Sequence, residues 1–121
     1  MNLGQRPWAT PQEQALVAAL ATRYAAQGDR AALDTAYAGA MKDVARRYPD
    51  DAEVLSLYAE ALMNLSPWNY WHGDGSPRPA TPEIVERLGH AMAKNTYHPG
   101  ACHLYIHAVE ARDPASAVPC A

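Results

Sequence analysis

The sequence of 121 residues contains no phenylalanine and only two cysteines, and its net charge is only −3. A weak negative charge argues against a nucleic-acid-binding protein, which normally presents a basic face. No segment approaches the roughly 18 consecutive apolar residues of a membrane span, and the opening residues MNLGQRPWATPQEQ lack the apolar segment of a signal peptide. We therefore expect a cytoplasmic protein with no nucleic-acid and no membrane partner.

The two cysteines, Cys102 and Cys120, do not identify a redox compartment. A disulfide between them is compatible with the sequence, but a helical domain of this length does not require one. We therefore expect free thiols.

Motifs for common catalytic chemistry are also missing. The sequence has no glycine-rich phosphate-binding loop and no G-x-S-x-G nucleophile motif. Cys102 and His103 are adjacent in sequence, and adjacent positions on a helix diverge, so they cannot act as a nucleophile and its base. An enzyme is not the favoured interpretation.

Alanine is abundant, at 25 of 121 residues. It loses no side-chain entropy on entering a helix, and its small side chain lets neighbouring helices approach closely. The length suits one domain rather than two. The composition therefore predicts a single all-α domain.

Apolar residues recur with helical spacing in five segments, which predict about five antiparallel helices. Thr10, Pro11 and Glu13 form a capping-box start for the first helix, Gly28 suits the left-handed turn after it, and Asp50 is expected to cap the third. The predicted helices lie at about 11–27, 30–47, 50–65, 81–95 and 99–112. The tail ASAVPCA is expected to be too short for another full element.

Residues 66–80, SPWNYWHGDGSPRPA, contain three prolines, two glycines and three large aromatics and show no helical period. They predict a long loop, and such loops often carry function. Trp68, Tyr70 and Trp71 could form a rim that binds a peptide or small ligand. We favour the alternative, in which they fold back as a plug over the third to fifth helices, because burying Trp68 and Trp71 could supply ~1.5–3 kcal/mol each.

The first, third and fifth helices share a sequence pattern. AEVLSLYAEA at 52–61 aligns with ACHLYIHAVE at 101–110, and Val17, Leu20, Ala21 and Tyr24 fit the same packing positions on the first helix. Such periodicity is typical of a solenoid, in which each helical hairpin buries its apolar face against its neighbours.

These residues, together with Gly28-Asp29, Tyr37 and Ala40, resemble the tetratricopeptide repeat (TPR) family. The resemblance implies a TPR-like domain with a first repeat at about 11–48 and a second at about 50–97. The second repeat would contain the 66–80 insertion and be followed by a fifth helix at about 99–112.

Residues 66–84 and 98–110 more specifically resemble part of a larger bacterial group of TPR-containing proteins that has no established activity. This second resemblance implies a fold rather than a reaction. The chain resembles an internal slice of that group, and if it is one, further helices are expected beyond Arg112.

The stretch HPGACHLYIHAVEA raises the question of a metal site. His103, His107 and Glu110 lie at i, i+4 and i+7, so they share one side of a helix and could hold zinc, iron or copper. Position 104 is leucine, so the motif is not HExxH. The favoured alternative is that the histidines line a groove between helices. Further candidate ligands are His98, Cys102 and His72.

The function expected from these patterns is a protein- or peptide-binding module that needs no cofactor. Stacked hairpins would form a groove lined by the first, third and fifth helices, with Trp68, Tyr70, Trp71, His103 and His107 as its binding residues. The fifth helix would have no following helix over its far side, which also predicts self-association. The alternative is a metal-binding protein or metalloenzyme.

Overall fold

The computed structural model describes residues 7–121 and folds them into helices, with one isolated β-bridge between Trp71 and Pro77. The all-α prediction is confirmed. The elements in chain order are α1 (Pro11–Arg23), α2 (Arg30–Arg47), α3 (Ala52–Met63), α4 (Thr81–Lys94), α5 (Pro99–Val109) and a C-terminal 3-10 helix (Pro114–Cys120).

Local capping chemistry sets the starts of the first two helices. The Glu13 amide donates to the Thr10 hydroxyl at 3.2 Å and the Thr10 amide donates to the Glu13 carboxylate at 2.7 Å, which completes the predicted capping box. Asp29 accepts the Ala32 amide at the start of α2. Gly28, at φ +113°, supplies the left-handed turn between these helices.

The start of α3 differs from the prediction. Its cap is Asp51, whose Oδ1 accepts the Val54 amide at 2.9 Å while Oδ2 accepts Gln12 Nε2 of α1 at 3.0 Å. Asp50 instead lies 2.8 Å from Nε2 of His90 on α4. Both aspartates suit the cap position chemically, and partners from α1 and α4 decide between them.

Helix α3 lies at the centre of the core, because it packs against α2, α4 and α5. Val54, Leu55 and Ala59 of α3 are completely buried, and Tyr58 is 1% exposed. The side chains that meet this face from the neighbouring helices are Met41 of α2, Ile84 and Leu88 of α4, and Ala108 of α5.

The packing face of α1 differs from the expected stripe. Ala19 is its buried residue, whereas Leu20 is 43% and Tyr24 70% exposed. The helix also ends at Arg23, earlier than the predicted 27, and Arg23 lies 3.6 Å from Asp34 of α2. Ala15 and Leu16 are partly buried against the core beside Ala19, whereas Leu20 remains on the surface.

The C-terminal tail forms an element that the sequence did not predict. Residues Pro114–Cys120 make a 3-10 helix that packs on α5, with Ala117 buried. Cys102 and Cys120 are joined in a disulfide with their Cα atoms 5.2 Å apart, so the expectation of free thiols is wrong. This helix also covers part of the surface of α5 that was expected to be bare.

Within residues 7–121, no helix is both long and apolar enough to cross a bilayer.

Candidate binding groove

A groove runs between α3 and α5 and is closed at one end by the 66–80 loop. It consists of two adjoining cavities, of about 250 Å³ and about 360 Å³, which share Glu60 and Leu104 in their walls. We call it the α3–α5 groove. The loop end is lined by Pro67, Trp68, Tyr70, His103 and His107, and the other end by Glu53, Ser56, His98 and Gly100.

The loop beside the groove is held in place by hydrogen bonds to helices. Trp71 Nε1 donates to the Ala108 carbonyl at 2.8 Å, near the end of α5, where helix carbonyls lack partners along the helix. The Thr81 hydroxyl, which is buried, donates to the Tyr70 carbonyl. Tyr70 is only 8% exposed and Trp71 is half-buried, so these two side chains do form the expected plug.

Trp68 does not belong to that plug. It is 71% exposed, and its backbone lies in the left-handed region at φ +61°, which is rare for a bulky residue. Its ring meets the His107 ring edge-on, with centroids 4.9 Å apart and an interplanar angle of 84°. The expectation that Trp68 is buried is therefore wrong: the loop holds this indole at the mouth of the groove.

His103 and His107 lie on one face of α5, as their spacing predicted. Their ring centroids are 4.8 Å apart, and Nδ1 of His107 lies 3.1 Å from a Glu110 carboxylate oxygen. His103 is exposed and His107 half-buried. The two imidazoles and Trp68 therefore form one continuous ring-lined wall.

Glu60 stands opposite that wall and was not predicted as a site residue. It is exposed, and within residues 7–121 its carboxylate forms no hydrogen bond or ion pair. Burial raises the pKa of the Tyr37 phenol, and the nearby charge of Glu60 raises it further, while Arg23 opposes the rise. Glu60 lies four residues after Ser56, so the sequence could have indicated that the two share a helix face. Only the packing shows that this face borders α5.

The six candidate metal ligands do not converge. His98 is the cap of α5, accepting the Ala101 amide on Nδ1, and its Nε2 lies 2.8 Å from Glu53. Cys102 is in the disulfide, and His72 lies in the exposed loop.

His103 and His107 lie on α5 and Glu110 is its C-terminal cap, so these three candidate ligands are on one element as their spacing predicted. Even so, in the part of the chain that the structure describes, no three His, Cys, Asp or Glu side chains are placed to hold a metal ion together. A preformed three-ligand site is thus not part of the described fold.

Comparison with known proteins adds no relative, since no family model, no curated protein and no solved structure matches the chain.

Proposed function

We propose that the protein is a TPR-like interaction module whose α3–α5 groove binds an extended peptide segment of another protein. The observation that carries this proposal is Trp68, a large aromatic side chain held 71% exposed at the groove mouth by a left-handed backbone. A strained residue of this kind is costly to keep and is characteristic of ligand-binding positions. Exposed tryptophans are also among the commonest energetic anchors of protein interfaces.

The charges of the groove favour a basic ligand. Its described lining contains the carboxylates of Glu53 and Glu60 and no lysine or arginine. Glu53 is already paired with His98, whereas Glu60 has no ionic partner within residues 7–121. A lysine or arginine of the peptide would pair with Glu60 and could also lie against the Trp68 ring.

Binding can be tested with a synthetic peptide library in which lysine, arginine and aromatic residues vary around an extended core. We expect the tightest peptides to contain a basic residue next to an apolar one. Trp68→Ala should weaken the binding of these peptides by about 2 kcal/mol, which is roughly a thirtyfold increase in Kd. Glu60→Gln should weaken the binding of basic peptides more than the binding of neutral peptides of the same length.

Tyr97→Ala is the matched control, because Tyr97 is 91% exposed and does not line the groove. Equal losses in Trp68→Ala and Tyr97→Ala, or no peptide preference at all, would refute the proposal. A concentration-dependent mass that Trp68→Ala abolishes would instead identify a second copy of this chain as the occupant.

The metal-binding alternative has less support, because it now depends on His103, His107 and Glu110 alone. Metal analysis of the purified protein tests it directly. Stoichiometric zinc, iron or copper that disappears in the His103→Ala, His107→Ala double variant would favour it over the peptide groove.

A further inference from the structure

A separate cavity, which shares no lining residue with the α3–α5 groove, lies where α2, α3 and α4 meet. It measures about 280 Å³ and is lined by Lys42, Ala45, Arg46, Pro49, Tyr58 and Arg87. Lys42 and Arg46 are one turn apart on α2, and Arg87 faces them from α4. Helix packing thus gathers three cationic side chains around one space, although no sequence motif joins them.

The charge of this cavity is unusual for an acidic chain. Three of the ten lysines and arginines line it, and none of its lining residues is acidic. Lys42 forms no ion pair within the described residues. Arg46 lies 3.5 Å from Asp43, but both side chains are largely exposed, and such surface pairs neutralise each other weakly.

One carboxylate, that of Glu83, does lie close behind the cavity. It accepts the Tyr58 hydroxyl at 2.8 Å and lies 3.5 Å from Nη2 of Arg87. Burial and this carboxylate raise the pKa of Tyr58 to about 12, so the phenol stays neutral at physiological pH. Glu83 therefore offsets the charge of Arg87, and Asp43 partly offsets that of Arg46, whereas Lys42 has no acidic partner within the described residues.

The guanidinium of Arg87 has a donor to spare. Its Nε is buried and has no hydrogen-bond partner, which within residues 7–121 is true of no other buried side-chain nitrogen or oxygen. Buried donors are nearly always satisfied in folded proteins, so Glu83 leaves the Arg87 guanidinium short of one acceptor. The acceptor chemistry that best matches a guanidinium edge is a tetrahedral or planar oxyanion.

We propose that this cavity binds the phosphate group of a small phosphate monoester, held by Lys42, Arg46 and Arg87. Three cationic side chains around one space with no acidic lining residue suit an oxyanion, and the volume is close to the lower end of small-molecule sites. The Arg87 guanidinium would contact a phosphate oxygen, with Lys42 and Arg46 closing over the remaining charge. The site would be independent of the peptide groove.

The test measures binding of inorganic phosphate and of glycerol 3-phosphate to the full chain by calorimetry and by NMR shift changes, with chloride holding the ionic strength constant. We expect saturable binding, with shift changes in the last turns of α2 and around Arg87 in the middle of α4. Arg87→Gln and Lys42→Gln should each weaken it by roughly tenfold or more, the effect of losing one charge-assisted hydrogen bond. Lys42 is exposed, so its replacement keeps the test valid even if Arg87→Gln impairs folding.

Arg47→Gln is the matched control, since it removes the same charge one residue away. Arg47 lies over the Tyr48 ring and lines a different crevice, between α1 and α2. Non-saturable binding, or equal losses in Arg47→Gln and Lys42→Gln, would show general attraction of anions to a basic surface and overturn the proposal. Tighter binding of succinate than of either phosphate would overturn the assignment to phosphate.

Discussion

The disulfide supplies the most quantitative prediction. It joins α5 to the C-terminal 3-10 helix across a sequence separation of 18 residues. For a closed loop of that size, the loss of chain entropy in the unfolded state corresponds to about 3 kcal/mol of stabilisation. For a chain of 121 residues, 3 kcal/mol corresponds to a Tm change of about 10 °C.

Replacing Cys102 and Cys120 together by serine should therefore lower the free energy of unfolding by about 3 kcal/mol. Thermal and urea unfolding, followed by far-UV circular dichroism, would measure the loss. The reduced wild-type protein should have the same Tm and free energy of unfolding as the double variant. Reductant should not change either quantity for the variant itself. A thiol titration should find two reactive thiols in the wild type only after reduction.

Two outcomes would contradict this reasoning. If oxidised and reduced wild type unfold within about 2 °C of each other, the bond does not constrain the unfolded chain as the loop model requires. If two thiols react in the untreated native protein, the bond between Cys102 and Cys120 is not formed in solution, and the arrangement of the C-terminal helix on α5 must be revised.

Two further perturbations test the loop and the contact between Asp50 and His90. Trp71→Phe keeps an aromatic ring but loses the hydrogen bond to Ala108, so urea unfolding should show a free energy of unfolding lower by about 1–2 kcal/mol. Trp68 is exposed, so Trp68→Phe should change the free energy of unfolding by no more than about 0.5 kcal/mol. A larger loss for Trp68→Phe than for Trp71→Phe would contradict the assignment of Trp71 to the plug and Trp68 to the groove mouth. The hydrogen bond from His90 and the charge of Lys94 lower the pKa of Asp50 below its usual 3.8. The contact should therefore stabilise the fold above pH 3.8 and lose its effect as the pH falls through the lowered pKa. An NMR titration should show His90→Ala raising the pKa of Asp50, and an unchanged pKa would mean that the contact is absent in solution.

Features that depend on neighbouring residues were predictable. The capping box of Thr10 and Glu13 and the bounds of α2 at 30–47 agree with the structure, because capping and helical periodicity are local. The shared face of His103 and His107 also follows from helix geometry alone. The TPR-like arrangement and its peptide groove stay predictions that the binding experiments address.

Features that depend on distant partners were not predictable. Asp50 and Asp51 are adjacent and chemically identical, and contacts from α1 and α4 assign the cap to Asp51. Trp68 and Trp71 are three residues apart in one loop. One of them finds a helix carbonyl to donate to, and the other is turned outward by a left-handed backbone. Residue type alone cannot distinguish them.

The sequence by itself determined the helical class, most helix boundaries and the common face of the α5 histidines, because these follow from interactions within one or two turns. Only the tertiary structure decided that Glu60 faces the ring-lined wall, that Lys42, Arg46 and Arg87 share a cavity, and that the two cysteines meet. The physical reason is that each of these groupings joins elements far apart in the chain. Their positions depend on how the whole core packs around α3.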